Sequence, residues 1–149
     1  MQHIKHFTDV THSIYASISV DTHARLMLCM WRGERVDDKQ VLDVLKYCCE
    51  QVRHYQLRHW LNDVSRLDGD SPIFAQDKHL LVDLQNTDLE RFAFVSKRAS
   101  HWVPVAWEHV LKSCQVKIQA FSHFAAAIEW LILPQIDDAI WDQSKTISF

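Results

Sequence analysis

The side chains able to do chemistry in this chain are ten histidines, four cysteines and a run of carboxylates and hydroxyls in the middle of the sequence. A histidine-held metal needs three or four ligands in tight pairs, and neither Cys-x-x-Cys nor His-Glu-x-x-His occurs. His3 and His6 suit one face of a helix, and His54 and His59 flank a loop, but neither pair finds a third ligand at useful spacing. The expectation is no metal and no cofactor. Cys48 and Cys49 are adjacent, so on a helix their thiols diverge by about 100°. Together with Cys29 and Cys114 they lie in apolar segments, which predicts reduced thiols rather than disulfides or nucleophiles.

A Ser, His and Asp set is formally present in Ser65, Ser71, Asp63, Asp68 and His101. No Gly-x-Ser-x-Gly elbow and no glycine-rich phosphate loop accompanies it, so the reading is a non-enzyme. Asp63, Asp68 and Asp70 follow an apolar run. In α/β sheets ligands bind beyond the C-terminal ends of strands, which makes Asp63 and Asp68 a candidate polar-ligand loop. Asp70-Ser71 is the other candidate. Ser71 offers a capping hydroxyl and Pro72 lacks only a donor that the first helical position does not need.

The elements that would position these groups follow from hydrophobic periodicity. Ile14, Ala16, Ile18 and Val20 alternate as in a half-buried strand, and Leu26 to Trp31 is the continuous apolar run of a strand buried on both faces. Asp21 to Ala24 turns between them. From Asp37, apolar Val41, Val44, Leu45, Cys48, Cys49, Val52 and Tyr55 recur at helical spacing. Trp60 to Val64 predicts a third strand, Ser71 to about Asn86 a second helix, and Arg91 to Val95 a fourth strand. Pro104 to about Cys114 predicts a third helix, Val116 to Phe121 a fifth strand, and Ser122 opens a last helix carrying Phe124, Ala125, Ile128, Leu131 and Ile132. The order ββαβαβαβα implies one α/β domain with a mixed central sheet flanked by helices. It occupies 1–149, with a core over about 13–133, a short N-terminal segment and a tail over 134–149.

The Trp31-Arg32-Gly33 turn, the strand end Trp60-Leu61-Asn62-Asp63, the strand Phe92-Ala93-Phe94-Val95, and Phe121 followed by Ala127-Ile128-Glu129-Trp130-Leu131 resemble small bacterial STAS-like (SpoIIAA-like) domains over roughly residues 13 to 133. That resemblance implies a fold related to anti-sigma-factor antagonists, which use no cofactor and act by docking to another protein. It also implies that Asp70-Ser71 sits where a partner kinase phosphorylates the serine of well-studied members. A phosphate there would add about −1.5 to −2 charges beside a helix N-terminus. The small residue and glycine that follow that serine in the family are Pro72 and Ile73 here.

Composition bounds the alternatives. The chain has 149 residues, 48% of them hydrophobic and 23% charged, which suits one globular core. Its net charge is −3 and it has no Lys/Arg cluster, so nucleic acid is not an expected partner. No apolar run approaches the roughly 20 residues of a membrane span, and no secretory segment opens the sequence, so the expectation is a cytoplasmic protein without a membrane partner. Six tryptophans are a generous supply for one core, and an exposed subset would serve self-association as a homodimer or a protein partner. The sequence therefore reads as a protein-interaction or regulatory module. A carrier of small apolar ligands and an enzyme using the loop carboxylates are the alternatives.

Overall fold

The computed structural model describes residues 1–34, 36–67, 83–97 and 105–132. These build an α/β domain around a six-stranded mixed sheet. The strands are β1 (Gln2–Thr8), β2 (Ile14–Asp21), β3 (Leu26–Gly33), β4 (His59–Leu67), β5 (Arg91–Val95) and β6 (Lys117–Phe121). They lie side by side in chain order, with β1, β2 and β3 antiparallel and β3 to β6 parallel. Helix α1 (Asp38–His54) joins β3 to β4, α2 (Val105–Ser113) joins β5 to β6, and residues 124–132 form α3. Of the helix predicted from Ser71 to about Asn86, the part up to residue 82 lies outside the described residues; 83–84 are 3₁₀ and 85–86 form a turn rather than helix, with Asn86 at φ 63°.

The two described crossovers step across the sheet in the same direction. A right-handed crossover then places both helices on one face. The core agrees. On this first face, Val41, Val44, Leu45, Cys48, Cys49 and Val52 of α1 and Trp107, Val110 and Leu111 of α2 are buried in one cluster with Ala16, Ile18, Trp31, Trp60, Phe92 and Phe94 of the strands. Helix α3 packs on the second face, where Ala127 and Leu131 meet Leu26, Leu28, Leu61, Ala93 and Val95. Trp31, Trp60 and Trp107 are thus core residues.

Local chemistry fixes the element ends. Asp37 caps α1 by accepting from the Gln40 amide, and the Gln40 side chain accepts from the Asp37 amide, a reciprocal capping box. Helices α1 and α2 both end in Schellman turns: the Leu57 amide bonds to the Val52 carbonyl and the Gln56 amide to that of Arg53, while Val116 bonds to Leu111 and Gln115 to Lys112. Gln56 and Gln115 hold the left-handed position at φ 52° and 63°. That position favours glycine, which explains why neither helix end is marked in the sequence.

Strand β1 is an addition to the predicted order. The segment reads as polar, but Ile4 and Phe7 half-bury against the first face, and its backbone pairs along β2. Asp9 organises the β1–β2 turn by accepting from the amides of Thr11 and Ser13 and the Thr11 hydroxyl, bonds that hold its carboxyl below the usual range. His3 and His6 therefore sit on a strand rather than a helix.

Candidate functional site

The second face of the sheet divides in two. Helix α3 covers the apolar strip that runs across β3, β4 and β5. The rest, over β1, β2 and the C-terminal ends of β3 and β4, carries polar side chains. Cross-strand register lines up His3 with Ser19 and Leu28, then His6 with Ser17, Met30 and Asp63, then Arg32 with Arg66. Register partners point to the same face, so these rows share the second face.

Two bulges create this grouping. In β1 the register slips between His3 and Lys5, leaving Ile4 as the extra residue. In an unbroken strand His3 and His6 would point to opposite faces. The bulge turns both to the second face, where their ring centroids lie 3.7 Å apart, and sends Lys5 to the first, where its ammonium lies over the Phe7 and Tyr47 rings. In β4 a three-residue step, Asp63 to Arg66, runs beside the two-residue step from Met30 to Arg32. The extra residue re-aims Arg66 to the second face and leaves Leu67 against the first-face core.

Asp63 helps to build that second bulge. Its side chain is 4% exposed, and its Oδ1 accepts the Ser65 amide at 2.8 Å, satisfying a donor beside the break in register. Among the predicted site residues, Asp63 is the one within the described structure; Asp68, Asp70 and Ser71 lie outside it. His6 shares a 3.0 Å hydrogen bond with the Ser17 hydroxyl through Nδ1. Its imidazole is held below its ordinary pKa by lost hydration first, then by His3 and by Arg32. Arg32 donates through Nε to the Ile14 carbonyl at 3.2 Å, which leaves the far edge of its guanidinium unengaged by that bond.

The described ion pairs lie elsewhere. Arg25 pairs with Asp88 at 2.7 Å and Arg58 with Glu90 at 2.6 Å, and these residues rim a cleft of about 430 Å³ beyond the N-terminal ends of the parallel strands. Both arginines there are already matched by carboxylates. Arg32 and Arg66 have no carboxylate partner among the described residues. No family model, curated protein or solved structure matches this chain. The site is therefore read from its own geometry.

No group of three or more His, Cys, Asp or Glu side chains among the described residues is arranged to hold a metal, and no described helix is long and apolar enough to cross a membrane. All four cysteines are thiols rather than disulfides, with Cys29, Cys48 and Cys49 buried and Cys114 half-buried. Burial pushes the Cys48 thiol well up and the Cys49 thiol up to about 12. A thiolate is the reactive form. A disulfide-exchange reagent at mildly alkaline pH is therefore expected to titrate at most the half-buried Cys114 in the native protein and all four thiols in denaturant. Rapid modification of two or more native thiols, counted by mass spectrometry, contradicts this packing.

The arginines were the residues that sequence reasoning missed as a site. Arg32 was legible only as part of a turn, and nothing in the local pattern marks Arg66 as its neighbour. The signal that brings them together is a one-residue bulge, which hydrophobic alternation does not encode.

Proposed function

We propose that this chain is a non-enzymatic protein-interaction module, of the regulatory kind that its resemblance to STAS-like anti-sigma-factor antagonists implies, and that it docks through the half of the second sheet face that no described helix covers. The observation that carries this reading is the division of that face. Helix α3 covers β3 to β5, while the bulges in β1 and β4 turn His3, His6 and Arg66 outward beside Arg32. Bulges are features that re-aim side chains, and two of them serve one surface here.

Affinity capture with chemical crosslinking, using extract of the encoding organism, tests the surface. Ser17→Tyr places a large side chain in the middle of this half-face at a position that a strand tolerates. Recovery of the proteins held by the unaltered chain is expected to fall about tenfold, as at the centre of an interface. Asp88→Asn, at the opposite end of the parallel strands, should leave recovery unchanged. An identical captured set from the Ser17→Tyr protein rules out this face.

A further inference from the structure

We infer that the Arg32–Arg66 pair is the seat of an acidic segment of a partner protein, whose carboxylates bridge the two guanidiniums. This inference rests on the docking reading above and names the chemistry of what docks.

The two residues are register partners on neighbouring parallel strands, whose axes lie about 4.8 Å apart. Like charges placed directly opposite on one sheet face repel, so the arrangement by itself opposes strand pairing. Both side chains are exposed, and no described carboxylate neutralises either one. Arg66 faces this way because of the β4 bulge. Without the extra residue it would turn toward the first face, away from Arg32. The local structure therefore brings the like charges together.

Among the described residues of the adjoining register rows, no exposed side chain is an anion. His6 and His3 occupy the adjoining rows, and Arg32 acts electrostatically on His6. Asp63, the carboxylate in the same row, is buried and turned to the Ser65 amide. A planar guanidinium presents paired donors that match a carboxylate in a forked geometry, and two side by side suit successive carboxylates of a peptide. The pair also lies at the C-terminal ends of parallel strands, where ligands of such sheets commonly bind. A peptide fits better than nucleic acid, because the chain carries a net charge of −3 and the described residues of this seat offer two permanent cations, Arg32 and Arg66.

The test uses the full chain and a labelled hexaglutamate peptide, with fluorescence anisotropy at neutral pH and low salt. Binding that weakens as salt rises is expected, with an affinity loss of about tenfold or more in Arg32→Gln/Arg66→Gln. Because Arg32 also holds the Ile14 carbonyl, Arg66→Gln alone is the second variant, and it should weaken binding as well. Arg25→Gln/Arg58→Gln removes the same amount of charge at the opposite end of the strands and should bind as the unaltered chain does. Equal losses in the two double variants would mean that only net charge matters and would overturn the seat. So would no binding by the unaltered chain. Inorganic phosphate or a short thymidine oligonucleotide binding at Arg32 and Arg66 where hexaglutamate does not would overturn the acidic-segment assignment. If capture still depends on Ser17 while hexaglutamate fails to bind, the docking face stands and this inference falls.

Discussion

Asn62→Asp is expected to destabilise the fold by about 3–5 kcal/mol at mildly alkaline pH and by far less in mild acid. Asn62 is wholly buried on the first face of β4, and its Oδ1 accepts the Trp31 indole N–H at 2.6 Å. An aspartic acid has nearly the same shape and in its neutral form still accepts that bond. Ionised, it is a charge in a site walled by apolar side chains, with one hydrogen bond to offset lost hydration. Burial therefore raises the carboxyl's pKa in the folded state above the roughly 3.9 of the unfolded chain. The folded state then binds more protons than the unfolded one above that value. Stability is fully present below the unfolded pKa and declines as pH rises toward the folded pKa, by up to about 1.4 kcal/mol per pH unit.

Denaturant unfolding of this variant in acidic and in mildly alkaline buffer, each against the unaltered protein, reads the difference directly. Asn62→Leu is the companion. It removes the acceptor of the indole without adding a charge, and a loss of about 1–3 kcal/mol that hardly varies with pH is expected. If Asn62→Asp loses the same stability in both buffers, ionisation is not the cause. The Trp31–Asn62 bond spans β3 and β4, the strands whose C-terminal ends carry Arg32 and Arg66, so it also ties the parallel pairing that supports the candidate site.

Most of the sheet was legible because its signals are local. The alternation of Ile14, Ala16, Ile18 and Val20, the apolar run from Leu26, and the helical spacing from Val41 to Val52 each report one buried face, and each element forms where expected. The first strand was not, because most of its side chains are exposed and its place is secured by backbone pairing to β2. Strand β4 runs to Leu67 rather than stopping at Val64, because the bulge shifts the alternation by one residue and hides the last turn of the pattern. The site was least legible of all. Its residues come from four strands, and two of its side chains face their neighbours only through register slips. Asp63 was identifiable by type and position, yet its observed bond is to the Ser65 amide of its own strand.

Trp107→Ala is the other substitution with a large expected effect, a loss of about 3–5 kcal/mol. The indole is fully buried where α2 meets the sheet, edge-on to Phe92 at 5.8 Å between centroids and to Phe94 at 6.5 Å, while Trp60 packs on the far side of this group at 5.0 Å from Phe92. Truncation removes the ring's buried area and its aromatic pairings together and leaves a cavity among rings that cannot collapse into it. The loss should be uneven across the fold. Helix α2 has nine residues, fewer than the roughly 12–15 that an isolated helix needs to be even marginal in water, so its stability comes from this contact together with Val110 and Leu111. The Schellman turn after α2 leads directly into β6, an edge strand, so a loosened helix releases that strand too. Hydrogen exchange should therefore show α2 and β6 losing protection at lower free energy than β2, β3 and β4. Trp107→Phe, which keeps an aromatic ring between Phe92 and Phe94, should recover about half of the loss. Uniform loss of protection over all six strands would mean instead that the α2 anchor opens only with the whole domain.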